Sequence, residues 1–254
     1  MRFEGDARDR DATVGLPKAS REFRACYVQT RMTYRGRSDW HDMSEYVVHF
    51  TKAPAGGTEY GPIMSILWDG RIKAGPAVGA ARRMGASQGA ACLSEIPLHL
   101  LKRLVDRRSR YGIGFRQEFL ASNGGARVWY LDKDCAVAEH FKRLVDECTA
   151  EQFGPDQTIW KLTPFIDFPG DYGFTQYRFE WEREWRVPGG IAFTQDDVAF
   201  LFLPEAAHSK AREFFKGHDR DGTGPAYLCP YIDPAWDPDR IRTALGAIDV
   251  PTVL

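Results

Sequence analysis

Phe179-Glu180-Trp181-Glu182-Arg183-Glu184-Trp185-Arg186-Val187 is the run on which the fold of this chain turns. Polar and apolar residues alternate in it with a period of two, the signature of a strand. Phe179, Trp181, Trp185 and Val187 fall on one face, with the stem of Arg183 among them. Glu180, Glu182, Glu184 and Arg186 fall on the other. Carboxylates two residues apart stand roughly 7 Å from each other and repel. Such a row is tolerated when it is open to water, with Arg186 offsetting charge, or when the acids have work to do. Large aromatics bury well, so Trp181 and Trp185 are predicted in the core. A strand anchored in this way, with acids on its free face, is what a cleft requires.

Outward from this run the elements are short. A loop, Phe165–Phe174, leads in, and a predicted strand at Trp160–Ile166 precedes it. After Pro188-Gly189-Gly190 come a strand at Val198–Leu203 and a short helix at Ala206–Phe215. A proline-containing tail then runs without regular structure to a helix near Arg240–Leu245. Upstream, Tyr46–Thr51 reads as a buried strand in which His49 and Thr51 share a face. Ile63–Leu67 form a short helix ending at Asp69-Gly70, where Gly70 suits the left-handed C′ position. Ala74–Gly89 is small-residue loop without a dinucleotide or P-loop fingerprint. Ala90–Glu95 is a strand. Leu98, Leu101, Leu104 and Val105 then mark a helix closed by Arg107-Arg108-Ser109-Arg110, cations that complement its dipole. Tyr111–Phe115 is a strand whose glycines signal a bulge or the approach of a ligand, and Arg127–Leu131 is another. Cys135–Phe153 is an amphipathic helix with Val137, Phe141, Leu144, Val145 and Cys148 as its buried stripe and His140 on its polar side. Strands mixed with helices, without strict βαβ alternation, indicate an α+β fold. The expected organisation is an N-terminal extension over 1–44, charged and partly mobile, followed by one domain over 45–254.

Composition narrows the function. The chain has 254 residues and a net charge of −1, which gives no general attraction to nucleic acid or anionic membrane. No apolar run is long enough to span a bilayer, and Met1–Asp11 has no apolar signal core, so a cytoplasmic location is expected. The cysteines, Cys26, Cys92, Cys135, Cys148 and Cys229, are odd in number with no CxxC pair. Neither a disulfide framework nor a zinc site is indicated, and no metal ligand set is assigned.

His49, Thr51, Ser94, Tyr111, Glu182 and Glu184 are the candidate functional residues, each on or beside a predicted strand. A histidine on a strand is as often a satisfied core residue as a ligand, and tyrosine and serine in such places more often pack or cap. In combination they carry a pattern. His49-Phe50-Thr51 is followed by Ile66-Leu67-Trp68-Asp69-Gly70, then by Cys92–Glu95, Tyr111–Phe115 and Glu180–Arg186. This order resembles bacterial phage-resistance proteins of the abortive-infection AbiGi type. More remotely it is similar to the ADP-ribosyltransferase superfamily, including DarT-type toxins.

The resemblance covers about Tyr46–Val187. It implies a central, mainly antiparallel, split sheet flanked by helices, and NAD as substrate. Glu184 would stabilise the ribose cation formed as nicotinamide leaves, and Glu182 would orient the acceptor or take its proton. His49, assisted by Thr51, would bind the adenosine ribose. Tyr111 would stack on nicotinamide, and Ser94 would support the glutamate. Glu180 leaves the choice of catalytic acid open. The implied partners are a nucleic-acid or protein acceptor and a cognate antitoxin or phage protein. Two other readings stand beside the transferase: a non-catalytic antitoxin or phage sensor of the same fold, and a metal-dependent nuclease using the glutamate row.

Overall fold

Tyr46-Val47-Val48-His49-Phe50 forms the first strand, and its β-branched pair fills both faces of a sheet. The computed structural model describes residues 44–83, 89–95, 97, 100–154 and 156–245. Most of the expected extension lies outside the described residues, as do 84–88 of the small-residue loop and Leu98 of the predicted stripe.

The elements follow in order as β1 (Tyr46–Phe50), α1 (Tyr60–Asp69), β2 (Arg71–Lys73), β3 (Ala90–Glu95), α2 (Leu101–Arg107), β4 (Gly112–Arg116), α3 (Gln117–Ser122), β5 (Ala126–Arg127), β6 (Trp129–Tyr130) and α4 (Ala136–Ala150). Then come α5 (Thr158–Leu162), β7 (Ile166–Asp167), β8 (Gly170–Tyr172), β9 (Thr175–Tyr177), β10 (Glu184–Pro188), β11 (Gly190–Ala192), β12 (Val198–Phe202), α6 (Glu205–Arg220), β13 (Tyr231–Ile232) and α7 (Pro238–Ala244). The fold is α+β. Its centre is a seven-stranded mixed sheet in the order β13-β12-β4-β1-β3-β10-β5. Every pairing in it is antiparallel except β12 with β13.

The two faces of the sheet bury separate cores. Val47, Leu93, Ile113, Phe115, Trp185 and Val187 pack with Ile63 and Leu67 of α1 and Phe215 of α6. Val48, Phe200 and Phe202 pack on the other face with Leu101 and Leu104 of α2 and Ile241 of α7. Helix α1 ends where expected: Gly70 takes φ 58° and its N–H caps the Ile66 carbonyl. The glycines of β4 have a packing cause rather than a ligand. A Cβ on Gly114 would lie 2.4–2.6 Å from the ring of Phe200, so the missing side chain is the seat of that ring. The β4–β12 register shifts between Val198 and Phe200, so that bulge falls on β12.

Several expectations need correction. Phe179–Val187 is not one strand. Glu180–Glu182 is a 3₁₀ turn, Arg183 sits at φ 47°, and pairing begins only at Glu184. Left-handed backbone at a non-glycine residue inverts the chain locally and ends the alternation. Trp185 and Val187 are buried as foreseen. Trp181 is only half-buried, its ring lying 5.0 Å and 5.1 Å from the guanidiniums of Arg103 and Arg107. The stripe of α4 is rotated from the one foreseen: Ala138, Val145 and Cys148 are buried, whereas Val137 and Leu144 are 61% and 45% exposed. A small residue, Ala138, faces the core because the wall of Ile166 and Phe168 comes close there. Trp160 lies in a helix, which a 3₁₀ turn at Thr163–Phe165 follows, and not in a strand. The tail contributes β13, held parallel to β12.

Candidate functional site

The central strands line up three residues in one row. Val48 of β1 pairs with Ser94 of β3, and Ser94 pairs with Glu184 of β10. Residues opposite one another in a sheet point to the same face. Beyond Val48 the β1–β3 ladder stops, although β1 continues along β4 to Phe50 opposite Gly112. The His49 ring meets β3 instead, with Nδ1 2.9 Å from the Cys92 carbonyl oxygen.

A cavity of about 470 Å³ lies at this parting. Side chains associated with both faces of the sheet line it: Pro62 and Ile66 of α1 on one side, Arg108 and Glu182 on the other, with Phe50, Val78 and Leu93 as apolar wall. His49, Thr51, Ser94, Glu182 and Glu184 all line the cavity, so five of the six candidates are brought together. Tyr111 is not among the lining residues. Its ring packs edge-on against Tyr60 at 6.4 Å, and its backbone N–H is bound by Ser109 Oγ. It therefore packs against α1 and does not line the cavity.

The groups differ in how free they are. Thr51 Oγ1 lies 3.4 Å from both the Glu59 and Tyr111 carbonyl oxygens, which makes it a tie between loops. Because a carbonyl only accepts, His49 carries its proton on Nδ1 when neutral, and Nε2 is the acceptor. Burial lowers the His49 pKa, and the bond to Cys92 only partly opposes this. Glu182 is buried and paired with Arg108. Burial raises its pKa, with Arg108 pulling the other way. Lys52 also lines the cavity, so Lys52 and Arg108 set two cations beside the two acids.

Glu184 lies at the edge of a buried ion-pair network. Arg186 Nη2 donates to Glu184 Oε2 at 2.8 Å and to Asp167 Oδ2 at 2.5 Å, while Nη1 donates to the Pro164 carbonyl at 3.0 Å. Tyr177 Oη donates to Asp167 at 2.8 Å. Cys92 lies beside Glu184 and Arg186. Burial, then the Glu184 charge, pushes its thiol up to about 12, so it stays protonated at neutral pH and is a poor nucleophile.

Sequence reasoning missed Arg108, Lys52, Cys92 and Asp167. Arg108 was legible as a helix-terminal cation, and only the return of Glu182 from far along the chain gives it a second partner. Among the described residues no group of three His, Cys, Asp or Glu side chains is arranged to hold a metal ion. No helix among them is long and apolar enough to cross a membrane. Comparison of the chain with protein-family models, with curated proteins and with solved structures gave no significant match.

Proposed function

We propose that this protein is an ADP-ribosyltransferase-like enzyme of a bacterial toxin or anti-phage defence system, cleaving the nicotinamide–ribose bond of NAD in the cavity between β1 and β3. The observation that carries this reading is the Val48–Ser94–Glu184 row beside the parted strands. It sets a carboxylate, a hydroxyl and the imidazole of His49 around one hollow. A hollow of this volume is within the range of small-molecule sites.

Each residue then has a chemical part. Loss of nicotinamide builds positive charge on the ribose, as in glycoside hydrolysis. The Glu184 carboxylate stabilises that charge. His49 Nε2 accepts a hydrogen bond from a ribose hydroxyl, and Ser94 lies opposite Glu184 on the next strand. Lys52 and Arg108 are the cations available to the pyrophosphate. Glu182, with its raised pKa, is suited to receive the acceptor's proton once Arg108 turns to phosphate.

The test is nicotinamide release by wild type and Glu184→Gln, with calorimetric titration of NAD. Glu184→Gln keeps shape and removes charge, so turnover should fall on the order of 10²–10³-fold while NAD affinity holds. A wild-type protein that neither binds nor cleaves NAD, with candidate nucleic-acid and protein acceptors present, defeats the reading.

One observation favours the second reading, a non-catalytic antitoxin or phage sensor. Glu182 and Thr51 both serve structural partners, Arg108 in one case and two backbone carbonyls in the other. Partner capture without NAD turnover would place the protein there.

A further inference from the structure

We infer that Arg186 is a positioning residue for Glu184, itself held by Asp167 and Tyr177. The inference rests on the reading of Glu184 as the working carboxylate. The backbone of Glu184 is already fixed. It pairs with Ser94, its neighbour Trp185 pairs with Arg127, and its N–H donates to Tyr130 Oη at 3.3 Å. What stays free is the carboxylate, at the end of three rotatable bonds. Arg186 stands two residues on, on the same face, and ties Oε2 back into the protein. Glu184 itself lines the cavity.

Arg186 can act as a fixed point because it is itself immobile. It is 1% exposed, and three acceptors hold the two ends of its planar fork. Asp167 is steadied in turn by the Tyr177 hydroxyl and by the Phe168 N–H at 2.9 Å. Stability alone does not account for this arrangement. The desolvation of buried charges offsets most of their attraction, and well-packed apolar residues serve a core as well or better. Orientation is what a buried guanidinium supplies and a leucine does not. The Nε of Arg186 has no hydrogen-bond partner among the described residues, a further cost borne at this position.

Two variants separate positioning from packing. Arg186→Lys keeps the charge and loses the fork. Tyr177→Phe removes the hydroxyl that steadies Asp167 and leaves the ion pair. Crystal structures of wild type and both variants report the Glu184 carboxylate directly, while nicotinamide release and NAD titration separate kcat from binding. In Arg186→Lys the carboxylate should leave its wild-type rotamer. Its kcat should fall on the order of 10²-fold, the scale of a misplaced reacting group, with NAD affinity within about twofold of wild type. Tyr177→Phe should show both effects in smaller degree, and it decides the matter if Arg186→Lys does not fold. An unmoved carboxylate overturns the inference, and so does a loss of NAD affinity equal to the loss of kcat. If wild type does not turn over NAD, the transferase reading falls and the crystal comparison alone decides: displacement of the carboxylate upholds the positioning role and its absence overturns it.

Discussion

His49 and Glu182 are cavity residues whose protonation links the site to stability, and they pull in opposite directions. His49 has a folded pKa depressed by burial. Its neutral form therefore adds stability that is present above the unfolded value of about 6.5 and is lost as pH falls through the folded value. His49→Gln keeps a donor for the Cys92 carbonyl and does not titrate. Urea unfolding from pH 7.5 to 5 should show a shallower acid-side loss in this variant than in wild type. An equal slope in the two would mean that His49 charges freely in the folded protein. Glu182 has a folded pKa raised by burial. The stability linked to its proton is complete below about 4.3 and is lost as pH rises through the folded value. Glu182→Gln should remove that decline. With its thiol pushed up to about 12, Cys92 should resist alkylation at pH 7. Rapid labelling there would show that its contacts with Glu184 and Arg186 open in solution.

At the scale of elements, β10 and β4 carry the packing that holds the cavity walls. Trp185 lies in the main core, and its Nε1 donates to the buried Glu95 carboxylate at 3.2 Å. Trp185→Ala should cost about 3–5 kcal/mol in chemical denaturation. A cost under about 1 kcal/mol would mean that the site is rebuilt by its neighbours. Gly114→Ala places a methyl inside the Phe200 ring and should cost about 1–3 kcal/mol, the range for an overpacked core. Adding Phe200→Leu should recover part of that loss, because the two positions contact each other. Strictly additive effects would contradict the contact. Much of this was visible beforehand. The strands around His49, Leu93 and Phe200 and the Gly70 stop of α1 follow from apolar runs and one left-handed glycine. The errors fall where local pattern competes with tertiary contact: Trp160 was read into a strand but is the buried residue of helix α5, packed on Val145 and Cys148, and Val137 continues a stripe whose core side is set by Ile166 and Phe168.

For the whole molecule, the deciding feature is the place where two central strands part. If NAD occupies that gap, it stabilises the folded state by mass action, about 2.7 kcal/mol at a hundredfold excess over Kd. Thermal unfolding with NAD should show the shift in wild type and in Glu184→Gln, and a reduced shift in His49→Ala. A shift absent from all three would leave the cavity without this ligand. Local patterning was enough for the α+β class, the apolar cores of β1, β3, β10 and β12, and a shortlist of polar residues on those strands. These depend on neighbours in the chain and on side-chain chemistry. The tertiary structure alone decided which of those residues meet. It left Tyr111 out of the cavity lining, brought in Arg108 and Asp167, and turned Glu182 out of the strand through the left-handed Arg183. Strand order and the end of a ladder are set by pairings between residues 46 to 98 positions apart, and no local periodicity records them.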